Sequence, residues 1–158
     1  MNALVLIADD SPEILDSHGE ILRQAGYRVC TACNGEEAIG TAIRRRPDVI
    51  IMDLDMPILD GWEATRRIRA DLRTHHIPVI AYTSYGLRRY VDRSFEAGCS
   101  AFIDKPCEGR VLVAEIERAL ATSAARTHSG VVVDAVNDIA SGPALQPPPS
   151  PPADRRQH

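Results

Sequence analysis

The chain has 158 residues and a mass of 17.3 kDa, a length that allows one folded domain of ordinary size and a tail. Its 18 Lys and Arg residues against 22 Asp and Glu residues give a formal net charge of -4, which argues against nucleic acid or an anionic membrane as the partner. No apolar run approaches membrane-spanning length, and the first short run lacks the basic segment and cleavage site of a signal peptide. We therefore expect a cytoplasmic protein with a globular core.

The predicted secondary structure alternates between strands and helices along the first 122 residues. The strand segments are continuous apolar runs, which are typical of strands covered on both faces of a parallel sheet. In chain order, the predicted elements are a strand at Leu4–Ala8, a helix from Ser11 to Gly26, a strand at Arg28–Ala32, a helix at Glu36–Arg46, a strand at Val49–Met52, a helix at Trp62–Leu72, a strand at Val79–Tyr82, a helix at Leu87–Ala97, a strand at Ala101–Ile103 and a helix at Glu108–Ala121. Five repeats of strand and helix predict an α/β domain with a five-stranded parallel sheet that is doubly wound by its helices.

The composition changes near residue 123. Six prolines between Pro143 and Pro152 oppose both helix and sheet. The stretch Val131–Ala140 has apolar residues at helical spacing, but a helix of ten residues is marginal in water. We therefore predict a domain at residues 1–122 and a flexible, Pro-rich tail at residues 123–158.

Polar residues follow the predicted strands at their carboxyl ends, the edge at which parallel α/β sheets bind ligands. They are Asp9 and Asp10 after the first strand, Asp53 and Asp55 after the third, Thr83 and Ser84 after the fourth, and Asp104 and Lys105 after the fifth. Clustered carboxylates repel one another unless a cation or a shared proton compensates, and hard oxygen ligands favour Mg²⁺. A carboxylate at this edge would be a nucleophile of the aspartyl-phosphate type, with the hydroxyl and the ammonium holding phosphoryl oxygens.

These residues resemble the receiver domain of bacterial two-component response regulators. The resemblance is carried by Asp9-Asp10, by the segment Met52–Pro57 with Asp60-Gly61 after it, by Thr83-Ser84 and by Lys105-Pro106, in that order. It covers roughly residues 3–122 and implies a flavodoxin-like fold with the strand order 2-1-3-4-5. It also implies phosphorelay signalling, in which a histidine kinase or a histidine phosphotransfer protein supplies a phosphoryl group with Mg²⁺ as cofactor.

The resemblance implies a role for each residue at the strand ends. Asp53 is implied as the phosphoacceptor because it lies four residues before Pro57, as in the family. The other implied roles are Asp10 and Asp53 as direct Mg²⁺ ligands, Asp9 as a ligand through water, the backbone carbonyl of Asp55 as a further ligand, and Thr83 and Lys105 as contacts of the phosphoryl group.

The resemblance also implies how the domain switches and how long it stays phosphorylated. In the family the threonine moves toward the phosphoryl group while an aromatic residue on the fifth strand turns inward, and that position here holds Phe102. Output is implied through the face of the fourth helix, the fifth strand and the fifth helix. Tyr85 and Asp55 occupy positions that tune hydrolysis: we expect Tyr85 to shield the phosphoryl group, and the direction of the Asp55 effect stays open.

Several readings of the function remain open. A single-domain regulator, a relay intermediate and a receiver excised from a hybrid kinase all fit; the segment Asp60–Arg69 resembles receivers attached to hybrid kinases. In each case the chain is not an enzyme beyond self-catalysed phosphotransfer and dephosphorylation. One alternative is a haloacid-dehalogenase-type phosphohydrolase using Asp53 and Asp55, but that family places its motif on the first strand and adds a cap domain that does not fit here. Another is a binding module that is never phosphorylated.

Other reactive residues have structural interpretations. Cys30 and Cys33 are close enough for zinc or redox chemistry, but Cys99 and Cys107 are eight positions apart and form no second pair of the same kind. We therefore expect core or surface thiols.

The histidines and the tryptophan also have structural interpretations. We expect the adjacent His75 and His76 to be solvated, and His18 lies in the wrong region to be a phosphodonor. Trp62, nine residues beyond Asp53, is expected to report on the site by fluorescence.

Overall fold

The computed structural model describes residues 2–84 and 86–129, and five parallel strands form a single sheet at its centre. The order of the strands across the sheet is β2-β1-β3-β4-β5. This arrangement confirms the predicted parallel fold and the order that the resemblance implied. Tyr85 and residues 130–158, which include the predicted Pro-rich segment, lie outside the described residues. The strands are β1 (Leu4–Ala8), β2 (Arg28–Ala32), β3 (Val49–Met52), β4 (Val79–Thr83) and β5 (Ala101–Asp104).

Five helices connect and flank the strands. They are α1 (Pro12–Gln24), α2 (Gly35–Arg45), α3 (Gly61–Ala70), α4 (Arg88–Ala97) and α5 (Gly109–Ser129). Ser11, Asn34 and Asp60 cap the first three helices, each by accepting a hydrogen bond from a backbone N–H of the first turn. Helix α4 begins after Leu87, which makes no side-chain cap hydrogen bond, so its first turn is less firmly secured than those of α1–α3.

Helix α5 is longer than the sequence predicted. It has 21 residues and continues to Ser129, whereas we expected its end near Ala121. Residues 122–129 contain neither Gly nor Pro, and Gly130 follows them. Extending an established helix costs little per residue, so serine and threonine do not end it as a glycine or a proline does. In the described part of the chain, no helix has both the length and the apolar character that crossing a membrane requires.

Apolar side chains alternate between the two faces of the sheet and form two buried clusters. Leu6 and Ile50 belong to the cluster that includes residues of α2 and α3, whereas Val5 and Ile51 belong to the cluster that includes residues of α1 and α5. All four side chains are at most 2% exposed. Burial on both faces explains why the sequences of β1 and β3 are continuously apolar.

One prediction tests which face of α5 packs against the core. Replacing Ile116, which is 0% exposed, by valine should lower the free energy of unfolding by about 1 kcal/mol, because one methyl group leaves the core. Val111 on the same helix is 41% exposed, so Val111→Ala should change stability by less than about 0.5 kcal/mol. Urea unfolding measures both values. Equal losses in the two variants would show that α5 packs through another face.

Candidate functional site

Three carboxylates meet where β1 and β3 end. The two strands pair in parallel with Ala8 opposite Met52, so the next residues, Asp9 and Asp53, leave the sheet side by side. Carboxylate oxygens of Asp9, Asp10 and Asp53 all lie within 4.8 Å of one another. Asp9 and Asp53 are 1% and 5% exposed, whereas Asp10 is exposed. The structure therefore brings together the three carboxylates that the sequence singled out.

This donor set fits Mg²⁺. Carboxylate oxygens are the hard ligands that the ion prefers, and Mg²⁺ is usually held by one or two carboxylates while it keeps several waters. Here two carboxylates are buried and Asp10 is open to solvent, so an ion at this point would have room for water. The exposed Asp55 contacts the same carboxylate cluster through its backbone, since its N–H donates to Asp53 Oδ1 over 3.3 Å.

Lys105 is the cation of this cluster. Its Nζ lies 2.5 Å from Asp9 Oδ2 and 3.4 Å from Asp53 Oδ2, and its side chain is 12% exposed. Its backbone N–H donates to the carbonyl oxygen of Thr83, which holds the backbone of Lys105 beside the end of β4. Burial raises the pKa of the Asp53 carboxyl, Lys105 opposes this rise, and the charge of Asp9 adds to it. One ammonium group thus pairs with two of the three clustered carboxylates.

The remaining predicted residues have different positions relative to the cluster. Thr83 ends β4 and is 1% exposed, beside the backbone of Lys105. Phe102 lies on β5 and is half-buried against the apolar cluster that includes residues of α2 and α3. Its side chain is therefore neither fully exposed nor fully buried, the two states between which the expected switching would move it. Tyr85, the predicted shield, lies outside the described residues.

Sequence reasoning missed a polar contact beneath Lys105. The hydroxyl of Tyr82 is 3.1 Å from Nε2 of His18 on α1, and the Tyr82 ring centroid is 5.1 Å from Lys105 Nζ. Tyr82 also hydrogen-bonds with Cys107, just beyond Lys105. Tyr82 therefore supports the lysine from the side of the sheet that carries α1 and α5. The available signal was a buried tyrosine in an apolar strand, because its hydroxyl needs a partner.

The half-buried position of His18 predicts a pH dependence of stability. Burial lowers the pKa of His18 below its ordinary value of 6.5, and the hydrogen bond to the carbonyl of Ile14 partly opposes this effect. As the pH falls below about 6.5, unfolded His18 takes up a proton that folded His18 resists, so stability decreases from there down to the lowered pKa. In His18→Gln, urea unfolding should show a smaller loss of stability over this window. An unchanged slope would contradict this assignment.

Trp62 joins the site to α4. Its ring is 7% exposed, stacks on Tyr90 with centroids 5.9 Å apart and carries the Arg93 guanidinium 4.1 Å from its centroid. Its neighbour Gly61 donates a backbone hydrogen bond to the carbonyl oxygen of Leu54, directly after Asp53. The tryptophan is therefore placed to respond to the position of α4 as well as to the loop after β3.

Comparisons with known proteins agree with this geometry. Residues 5–117 match the family described as the response regulator receiver domain. The polar-differentiation response regulator DivK of Brucella anthropi is 34% identical over 102 residues, 65% of this chain and 83% of that protein. The signal receiver domain of a signal transduction histidine kinase from Syntrophus aciditrophicus is 37% identical with a TM-score of 0.71, covering 76% of this chain and 91% of that one. The receiver domain of sensor histidine kinase PA1611 from Pseudomonas aeruginosa, a structure with a magnesium ion coordinated in the active-site cleft, is 32% identical with a TM-score of 0.72 and covers 77% of this chain and 99% of that one.

Proposed function

The chain belongs to the receiver-domain family of two-component response regulators, a family of signalling proteins, and from this we propose that Asp53 accepts a phosphoryl group. The observation that carries the proposal is the surroundings of this carboxylate. Asp53 is buried at a strand end, is 3.4 Å from an ammonium group and shares its edge with two further carboxylates. A buried charge in such a cluster is costly to the fold, and costs of this kind are typical of functional sites.

We propose Mg²⁺ as the cofactor. Asp10 and Asp53 would hold the ion directly, Asp9 through water, and Asp55 through its backbone carbonyl. When bound, Mg²⁺ supplies the positive charge that offsets the carboxylates and the incoming phosphoryl oxygens. The three clustered carboxylates carry more negative charge than Lys105 alone can balance, which is why an added cation suits this edge.

The protein's own residues account for the transfer step. A carboxylate oxygen of Asp53 attacks phosphorus, the new oxygen–phosphorus bond forms, and the bond from phosphorus to the donor's imidazole nitrogen breaks with its electron pair left on the imidazole. Lys105 stays within reach of the new oxygens because its Nζ already lies 3.4 Å from Asp53 Oδ2. The Thr83 hydroxyl, at the end of β4, is the donor for a second oxygen.

We propose that phosphorylation alters the surface formed by α4, β5 and α5. Gly61 is hydrogen-bonded to the segment after Asp53, and the next residue, Trp62, packs on Tyr90 and Arg93 of α4. A small shift after β3 would therefore reach a helix whose first turn lacks a side-chain cap. Rotation of the half-buried Phe102 would change the adjoining part of the same surface.

The phosphoryl donor, the output partner and the location in the cell belong to the same proposal. A histidine kinase or a histidine phosphotransfer protein would supply the phosphoryl group, and output would pass to another protein rather than to nucleic acid or a membrane. A cytoplasmic location and the tuning roles of Asp55 and Tyr85 also remain proposals. So does the division into a domain and a C-terminal tail, but its boundary moves from residue 122 to at least Ser129, because α5 continues that far. They rest on the motifs and on the family, whose model covers residues 5–117.

The test is the intact mass of the full chain after incubation with Mg²⁺ and acetyl phosphate. We expect the wild type to gain one phosphoryl group, and to gain none when EDTA removes Mg²⁺. Asp55→Asn is the matched control, since it removes a neighbouring exposed carboxylate and should still be labelled. Equal labelling of wild type and Asp53→Asn, or sustained hydrolysis of a small phosphate monoester without stoichiometric labelling of the chain, would overturn the proposal.

A further inference from the structure

A cleft of 430 Å³ lies at the end of the sheet opposite to Asp53. Its walls come from the end of α3 with Arg69, from the segments that precede β4 and β5, and from the last turns of α5 with Arg118 and Arg126. A second cavity of 370 Å³ shares Arg69 and Arg126 with it and adds His75 to its lining. The volume is in the range of pockets that bind small molecules.

Arg69 is fixed in this cleft by neutral acceptors. Its guanidinium donates to the carbonyl oxygens of Gly98 and His75, each over 2.7 Å, and to the hydroxyl of Ser100 over 3.0 Å. A guanidinium has five N–H groups, so these bonds leave two for a ligand. The side chain is thus held in place while part of its hydrogen-bonding capacity is free.

The cleft has an excess of positive charge. Burial lowers the pKa of Arg69, and the nearby charge of Arg126 lowers it further. Glu115 is the acidic residue in the lining, and it is paired with Arg118. Within residues 2–84 and 86–129, no carboxylate forms an ion pair with Arg69 or Arg126. Two guanidinium groups near each other without a counterion favour an anion between them.

We propose that this cleft binds a phosphate-bearing small molecule, whose anionic group bridges Arg69 and Arg126. Arginine suits this role because its planar group of N–H donors matches phosphate oxygens. Pro78, Ala101 and Ala119 add apolar wall, and the exposed imidazoles of His75 and His76 line the two cavities. The concave shape and the net charge of -4 favour a small anion over nucleic acid.

The extension of α5 is what completes this cleft. Ser123 and Arg126 lie beyond residue 117, where the family match ends, and beyond the predicted end of the helix. Part of the cleft wall therefore lies outside the segment that the family match covers, and the cleft is separate from the Asp53 edge. Binding there does not depend on whether Asp53 accepts a phosphoryl group.

The experiment is an NMR titration of the full chain in EDTA with inorganic phosphate, pyrophosphate and ADP, each a separate probe. We expect ADP or pyrophosphate to shift the backbone amides of residues 98–101 and 123–126. Arg126→Gln should weaken this binding about tenfold, because a charged hydrogen bond is lost. Ser123→Phe should block it by filling the cleft while both arginines remain.

Two variants serve as controls. Arg110→Gln removes an exposed arginine from the same helix, outside the cleft, and Asp53→Asn alters the opposite edge, so both should bind as the wild type does. The proposal is overturned if none of the probes shifts these amides, or if Arg126→Gln and Ser123→Phe bind normally. It is also overturned if Arg110→Gln loses as much affinity as Arg126→Gln, or if the protein binds anionic lipid vesicles but none of the soluble probes.

Discussion

Replacing Asp53 by asparagine is expected to abolish phosphoryl uptake and also to stabilise the fold by about 1 kcal/mol in Mg²⁺-free buffer. The amide keeps the shape of the side chain but cannot act as the anionic nucleophile. It also removes one of three clustered negative charges, while Lys105 keeps its closer partner, Asp9, at 2.5 Å. Burial and the charge of Asp9 both raise the pKa of Asp53, which means that the charged form is disfavoured there. Removal of the negative charge of Asp53 thus accounts for both the loss of phosphoryl uptake and the gain in stability.

Mass spectrometry and urea unfolding measure the two effects on the same preparation. The matched control is Asp55→Asn, because its side chain is exposed and its removal should change stability by less than about 0.5 kcal/mol. Adding Mg²⁺ should stabilise the wild type more than Asp53→Asn, since a ligand stabilises the state that binds it. A variant that is less stable than the wild type without Mg²⁺ would show that Asp53 is held by favourable contacts, and our account of the cluster would be wrong.

The central strands were predictable because a continuous apolar run has few alternatives in a small α/β domain, whereas β2, with Arg28 and Thr31 exposed, is an edge strand with a mixed sequence. Leu4–Ala8, Arg28–Ala32 and Val49–Met52 form strands with the predicted bounds. Helix α2 begins at Gly35, one residue earlier than expected, because Asn34 is its cap. The continuation of α5 to Ser129 was missed because residues 122–129 resemble a tail in composition, although they contain neither Gly nor Pro and their helix propensity permits continuation.

The carboxylate cluster was predictable for a topological reason. Neighbouring parallel strands end at the same edge, so residues directly after β1 and β3 must meet, as Asp9 and Asp53 do. The contact between His18 and Tyr82 joins residues 64 positions apart and depends on how α1 packs on the sheet. The proximity of Arg69 and Arg126 depends on where α5 ends. Neither contact follows from the order of motifs along the chain.

Gly61→Ala is expected to reduce the free energy of unfolding by about 3 kcal/mol and to slow phosphoryl uptake. A Cβ atom at Gly61 would collide with the carbonyl oxygen of Asp53 and would lie 2.8 Å from Cα of Leu54. Both obstacles are backbone atoms, and the Gly61 N–H also donates to the carbonyl oxygen of Leu54 over 3.1 Å. The added methyl group must therefore displace either the start of α3 or the segment that carries Asp53, the proposed phosphoacceptor.

The matched control for Gly61→Ala is Gly19→Ala in α1. There the nearest obstacle is the end of the flexible Arg23 side chain, 3.2 Å away, so the helical preference of alanine should raise stability by about 0.5–1 kcal/mol. Urea unfolding gives the two opposite signs, and the rate of labelling by acetyl phosphate shows whether the acceptor has moved. If Gly61→Ala were as stable as the wild type, the close approach of α3 to Asp53 would be absent in solution. If Gly61→Ala were destabilised but labelled at the normal rate, α3 would have moved while the segment that carries Asp53 kept its place. Gly61 would then contribute to the stability of the fold and not to the geometry of the site.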